Sequence, residues 1–232
     1  MIPYTELKGR EAGKTAFILG AGPSLLDAYD SDLWHKINEH VVICVNSSIL
    51  IVDWGHPGGS RYWVSNDSAT RLWTYWKKVK SCYASKVIRD SWKKYFDEIP
   101  CFYVFSPRKA SVGQIDYNDE EHLAYVSSVP TAIDLALQMG CKKIAILGCD
   151  HQLRKGKSHF WQLWPRRLQP TTMGHIAPVA SQYKIFKDNM ASYKALDGFA
   201  KYKNAKIYNC SLNSRIEVYD KISFEDFVNE KL

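Results

Sequence analysis

The sequence predicts an α/β fold: a doubly wound, mostly parallel sheet with a long lid-like loop. Three observations carry that prediction. Short apolar runs of strand length recur between helical segments, at Thr15–Leu19, Val41–Val45, Tyr62–Ser65 and Lys143–Gly148. Their continuous rather than alternating hydrophobicity suits strands covered on both faces. Each run also ends in a polar or glycine-rich cluster, as strands do where an open α/β sheet meets its ligand.

The first strand breaks into Gly20-Ala-Gly-Pro-Ser24. Gly20 and Gly22 allow close backbone approach, and Pro23 suits a first helical turn. A strand, a glycine turn and a helix N-terminus together form a phosphate site. The turn lacks both the third glycine of the dinucleotide fingerprint and the Gly-Lys-Ser/Thr of a P-loop, so it points to a nucleotide without naming one. Residues 1–14 read as a polar lead-in. The second strand ends at Asn46-Ser-Ser48, His56–Ser60 reads as a turn, and the third strand ends at Asn66-Asp67. Ala69–Lys80 has helical spacing of Leu72, Trp73 and Trp76. Strands are expected at Lys86–Ile88 and Cys101–Phe105, with a helix near Ser91–Phe96 and a polar loop over 106–122.

Val129–Met139 is a helix closed by Gly140, and the strand after it ends at Cys149-Asp150-His151. From 151 to 181 no period survives, and basic residues mix with aromatic ones, including Arg154, Lys157, Trp161, Trp164 and Arg166. A stretch of that length inside a compact domain reads as a lid or acceptor loop. Helix returns over Gln182–Lys203, strand over Ala205–Cys210, and Ser223–Phe227 has the pattern of a short capped helix.

Length fits one domain over 1–232,. The formal charge of +7 and a pI near 9.0 favour acidic partners,. Six cysteines, at 44, 82, 101, 141, 149 and 210, form no C-x-x-C or zinc-like spacing and read as buried free thiols in a reducing compartment,. No signal-peptide core and no apolar run long enough to span a bilayer are present. A cytoplasmic location with peripheral membrane contact is the expectation. The basic–aromatic loop has no nucleic-acid motif beside it, so nucleic acid is not the expected partner.

Gly20–Ser24, Asn46–Ser48, Asn66-Asp67 and Cys149–His151 all fall at strand carboxyl ends, with Ser127 and Ser128 opening a helix. One crevice of an open sheet holds such a set, and asparagine amides both donate and accept, matching base and ribose edges.

Ile18–Leu25 followed by Val45–Ser48 resembles the motifs of the MptE-like group, formerly a domain of unknown function. That group includes archaeal hydroxymethylpterin diphosphokinases and flagellin-associated motility accessory factors. The same segments resemble bacterial lipooligosaccharide sialyltransferases, and this second likeness runs further. It takes in Asn46 and Asn66, Ser127–Gly140, Leu147-Gly-Cys-Asp150, Gly174-His175 and Leu212-Asn-Ser214. It implies a Rossmann-like fold and a nucleotide-activated sugar donor, with a glycan or small molecule as acceptor. Gly20, Gly22, Ser24, Asn46, Asn66, Ser127 and Ser128 would hold the nucleotide, and His175 would be the general base.

Tyr125 stands where those enzymes carry an arginine, and Gln152 and Ser158 stand near their phosphate-contacting tyrosines. Arg154, Lys157 and Arg166 are the cations available instead for phosphate or acceptor contacts. No cofactor is required in that reading. The diphosphokinase likeness implies magnesium, for which Asp67 and Asp150 are the acids on offer; the Asp-Leu-Asp-Gly and His-Gly-Asp-Asn motifs of those enzymes do not occur. A non-catalytic nucleotide-binding protein of the same fold is the third reading.

Overall fold

The computed structural model describes residues 1–52, 58–96, 102–108, 115–125, 127–165, 169 and 179–230, with backbone alone at 179 and 180. Ten strands are described: β1 (Ile2–Pro3), β2 (Thr15–Leu19), β3 (Val41–Val45), β4 (Arg61–Ser65), β5 (Ser85–Arg89), β6 (Phe102–Arg108), β7 (His122–Ala124), β8 (Lys143–Leu147), β9 (Lys206–Asn209) and β10 (Asp220–Lys221). They lie in the order β1-β6-β5-β4-β3-β2-β8-β9-β10, with β7 on β6. The described pairings between strands are all parallel. Five α-helices accompany them: α1 (Leu25–Tyr29), α2 (Trp76–Ser81), α3 (Ser128–Gln138), α4 (Val179–Tyr202) and α5 (Phe224–Val228).

The sheet is covered on both faces, as the apolar runs predict. Ile18, Ile43, Val64 and Ile146 point into one core, shared with α3 and α4 through Ile133, Leu137, Leu196 and Phe199. Their strand neighbours Phe17, Leu19, Cys44, Trp63 and Leu147 point into the other, with Leu25, Val79, Phe224 and Phe227. Alternate side chains leave a strand on opposite faces, so two apolar layers require both parities to be hydrophobic.

The order in which strands are added reverses around β2. The chain fills β3 to β6 on one side, then returns to place β8 on the other side. β2 and β8 run level, from Thr15 beside Lys143 to Leu19 beside Leu147. The switch-point crevice, where such sheets bind ligand, therefore lies at the carboxyl ends of β2 and β8.

Several expectations change. The first fourteen residues are structural: β1 extends the sheet edge, and Tyr4 and Leu7 are buried. Gly9, Glu11 and Gly13 donate backbone hydrogen bonds to the end of α3 at Gln138, Met139 and Gly140. Gly140 has φ 88°, and a side chain there would press on Ala12. Ala69–Lys80 is not one helix. A 3-10 turn at Ser68–Leu72 ends with Trp73 extended, and α2 begins only at Trp76. Trp73, Tyr75 and Trp76 all join the same core, and a single helix would not turn three residues so close in sequence to one side. The 91–96 segment is 3-10 rather than α. The polar stretch over 106–122 contributes strand at both ends, because Ser106–Arg108 pairs with β7.

His56 and Pro57 of the His56–Ser60 turn, and Cys101, lie outside the described residues. The five described cysteines are free, Cys210 half-buried and the others buried. Among the described residues no helix is long and apolar enough to cross a membrane.

Candidate functional site

A cleft of about 470 Å³ opens at the carboxyl ends of the central strands. Its floor includes Gly22 after β2, Asn46 after β3, Asn66 and Asp67 after β4, and Gly148 to Gln152 after β8. Ser127 to Val129 at the start of α3 form one wall, and Gln182, Ile185, Phe186, Asn189 and Tyr193 of α4 form another.

The glycine turn is shaped by the chain beside it. Gly20 N–H donates to the Leu147 carbonyl and Gly22 N–H to the Gly148 carbonyl, both at 2.7 Å. A Cβ at Gly20 would collide with the Gly148 carbonyl, and one at Gly22 with the Asp150 carboxylate. Ser24 N–H donates to Asp150 Oδ2 at 3.0 Å, so the first turn of α1 already faces a carboxylate of its own chain. Ser24 Oγ donates to Ser211 Oγ, 2.8 Å away. Gly22 lines the cleft, whereas Gly20 and Ser24 do not. Burial raises the Asp150 pKa, opposed by the hydrogen bonds from Ser24.

Asn46 leaves β3 with φ 52°, a left-handed conformation that asparagine tolerates better than most residues. Its carbonyl accepts from Trp63 Nε1 at 3.0 Å, which holds the turn. Asn66 is fixed against α3: its N–H donates to Ser128 Oγ and its Nδ2 to Thr131 Oγ1, each at 2.9 Å. The side-chain carbonyl oxygens of Asn46 and Asn66 are both buried and accept no hydrogen bond within the described protein. A buried acceptor left unpaired costs about 1–3 kcal/mol, so two at adjacent strand ends in one cleft mark acceptors shaped for something that donates to them. Ser127 caps α3 by position without a side-chain hydrogen bond, which leaves its hydroxyl beside the positive end of an 11-residue helix,. Ser48, by contrast, is entirely buried and ties Val45 N–H to the Leu19 carbonyl.

Asp67 Oδ1 accepts from Ala69 N–H at 2.8 Å and so caps the following turn. With Asp150 Oδ2 turned to Ser24, each acid proposed for magnesium has one oxygen held by the protein, while Asp150 Oδ1 is buried without a partner within the described protein. Among the described residues no three His, Cys, Asp or Glu side chains gather as a metal site. Arg154 pairs with Asp27 at 2.6 Å on the surface, and Lys157 is exposed in a turn closed by reciprocal backbone hydrogen bonds with Arg154. Neither lines the cleft. Arg166 and His175 lie outside the described residues.

Sequence reasoning passed over the α4 wall and gave His151 little weight. Gln182, Ile185, Phe186, Asn189 and Tyr193 follow a spacing of three, four, seven and eleven, one face of a helix,. That face carries two amides among aromatics, which a search for apolar stripes does not register. His151, with φ 51°, stacks on Phe186 at 4.8 Å between ring centroids. Its Nε2 lies 3.2 Å from the Tyr193 hydroxyl, which lies 3.2 Å from Cys149 Sγ. Burial lowers the His151 pKa to about 4. His159 is likewise lowered by burial, its Nδ1 2.7 Å from Ser158 Oγ.

No family model matches the chain, so its MptE-like motifs remain a likeness of short segments. No curated protein matches it in sequence. Solved structures do match. A MAf glycosyltransferase from Magnetospirillum magneticum AMB-1 superposes with a TM-score of 0.57 at 16% identity, over 99% of this chain. The chain spans only 40% of that protein's length. The monofunctional alpha-2,3-sialyltransferase Cst-I from Campylobacter jejuni gives a TM-score of 0.54 at 14% identity, over 91% of this chain and 81% of that one. The sialyltransferase CstII of the same organism, in complex with cytidine-5'-monophosphate, gives 0.51 at 16% identity, over 91% and 86%. At these identities the likeness is one of fold: this chain shares the parallel α/β architecture of a bacterial glycosyltransferase and two sialyltransferases.

Proposed function

We propose that the protein is a glycosyltransferase that uses a nucleotide-activated sugar, with the nucleotide in the switch-point cleft. The observation that carries the reading is the pair of buried, unpaired carbonyl oxygens of Asn46 and Asn66 beside the N-terminus of α3. Such acceptors suit the N–H and O–H groups of a base and a ribose, and a helix N-terminus suits the phosphate that follows. One of the structural neighbours, CstII, was solved with CMP and with the substrate analogue CMP-3FNeuAc, which makes a cytidine nucleotide the first to test.

In the proposed reaction the acceptor hydroxyl attacks the anomeric carbon and the bond from that carbon to the phosphate oxygen breaks. The nucleotide leaves with the bonding electrons. His175 takes the hydroxyl proton as general base. The 151–181 segment would close over the phosphate, with Arg154, Lys157 and Arg166 as its cations; Arg154 would have to exchange Asp27 for the ligand.

The test is donor turnover against binding. His175→Ala should lower release of nucleotide from CMP-sialic acid, or from whichever donor turns over, by 100-fold or more, since general-base catalysis contributes about 10²–10⁴. It should leave CMP affinity within about twofold, and chelation of metal with EDTA should leave the wild-type rate unchanged. Full activity in His175→Ala would remove that residue from the mechanism. Binding without turnover of any donor would favour a nucleotide sensor, and activation by magnesium with ATP would favour diphosphoryl transfer.

A further inference from the structure

The α4 side of the cleft holds a second pair of unpaired groups. His151 and Asn189 are 7% and 3% exposed, and His151 Nδ1 and Asn189 Oδ1 are buried with no hydrogen-bond partner within the described protein. Both residues line the cleft, on elements other than those that carry Asn46 and Asn66. We propose that His151 and Asn189 are specificity-determining residues that hydrogen-bond an uncharged hydroxyl or amide group on the sugar of the bound nucleotide sugar. The proposal rests on the glycosyltransferase reading and adds the part of the substrate that this wall contacts.

Three features support it. The imidazole is held in place: Phe186 stacks on one face, Tyr193 packs at a tilt with centroids 5.2 Å apart, and Nε2 meets the Tyr193 hydroxyl. A ring so fixed presents Nδ1 in one direction, at little further entropic cost on binding.

The chain Cys149–Tyr193–His151 has two internally consistent hydrogen arrangements. In one, Nε2–H donates to the Tyr193 oxygen, Tyr193 O–H donates to Cys149 Sγ, and Nδ1 is an acceptor. In the other, the Cys149 thiol donates to Tyr193, Tyr193 donates to Nε2, and Nδ1–H is a donor. Burial keeps the thiol and the phenol protonated, with the Cys149 pKa pushed up to about 12 and that of Tyr193 raised. A hydroxyl or a secondary amide both gives and accepts, so it pairs with Nδ1 in either arrangement and leaves a contact for the Asn189 carbonyl.

Charge points the same way. The described lining of the cleft contains Asp67 and Asp150 but no lysine or arginine. A histidine that stays neutral and a neutral amide have no cation to offer an anionic group on this wall, and they suit an uncharged one.

The test pairs each nucleotide with its sugar form: CMP with CMP-sialic acid, UDP with UDP-N-acetylglucosamine and GDP with GDP-mannose, by titration calorimetry. His151→Phe keeps the ring stack and removes both nitrogens; Asn189→Leu keeps the volume and removes the amide. Each variant should bind the bare nucleotide within twofold of wild type. Each should lose about tenfold or more for the matching sugar form, the penalty for an unmet hydrogen bond. In the wild-type protein the His151 Nδ1 resonance should move on adding the sugar form and stay unmoved with the bare nucleotide, a readout that needs no variant to fold. Equal sugar-form affinity in variants and wild type, or a motionless Nδ1 resonance in the bound complex, would overturn the proposal. If bare nucleotides bind and no sugar form binds better, the sugar-recognition proposal alone fails. If none of the six ligands binds, the glycosyltransferase reading fails with it.

Discussion

Asn46 does two things, and substitution can separate them. Its left-handed backbone is tolerated by asparagine and glycine, while its side-chain oxygen stands unpaired in the cleft. Asn46→Gly should therefore hold the fold near wild-type stability, and Asn46→Ala should lose about 1–2 kcal/mol in denaturant unfolding. Both should weaken CMP binding by about tenfold, because both remove the same acceptor. Unchanged CMP affinity in Asn46→Gly would leave that oxygen without a role in the ligand.

His151 carries a pH signature. Its folded pKa of about 4 lies below the usual 6.5, so between these values the unfolded chain binds the extra proton. Stability from this group is complete above about pH 6.5 and falls as pH drops toward 4. Between pH 7 and pH 4.5 the wild type should lose roughly 2 kcal/mol more than His151→Phe. The comparison with the variant separates His151 from Asp150, whose raised pKa acts in the opposite direction, and from His159, lowered like His151.

At the scale of elements, the glycine turn after β2 acts as a joint between two strand ends. Its N–H groups are spent on the β8 loop, and the Asp150 carboxylate sits where the start of α1 would otherwise draw an external anion. Gly22→Ala drives a methyl into Asp150 and the Gly148 carbonyl. It should cost about 1–3 kcal/mol, the range for overpacking a tight site, and CMP affinity should fall with it as the floor of the cleft moves. A variant as stable as wild type would show that the two loops part without penalty. The N-terminus of α3 is better placed than that of α1 to meet phosphate, since Ser127 and Ser128 line the cleft and Asn66 is braced on that turn.

For the molecule as a whole, ligand in the switch-point cleft joins β2, β3, β4, β8, α3 and α4, which between them belong to both cores. Binding there should stabilise the whole fold rather than one loop. At 100 times its dissociation constant a ligand adds about 2.7 kcal/mol, which raises Tm by a few degrees for a chain of this size. A thermal scan with CMP, UDP, GDP and ATP, with and without magnesium, reads this directly. Silence from all four would leave the cleft without a nucleotide to explain it.

The sequence by itself determined the layered architecture and the sheet edge at which the cleft lies. Both strand parities at Ala16–Leu19 and Val41–Val45 are apolar, and in a short segment only burial on two faces accounts for that. Strand ends marked by Asn46, Asn66 and Asp150 follow, because parallel strands point their carboxyl ends to one edge. Tertiary structure decided what each group there is free to do. Ser24 N–H is taken by Asp150 Oδ2 across 126 positions of sequence, Arg154 is held by Asp27, and the polar lead-in becomes an edge strand with a buried Tyr4. In the sequence His151 is one member of a strand-end set and Asn189 a helix residue; only α4 packed against the β8 loop brings their unpaired atoms into one cleft. Periodicity records which face of an element is buried; it does not record which polar atom finds a partner there, since those partners come from distant parts of the chain.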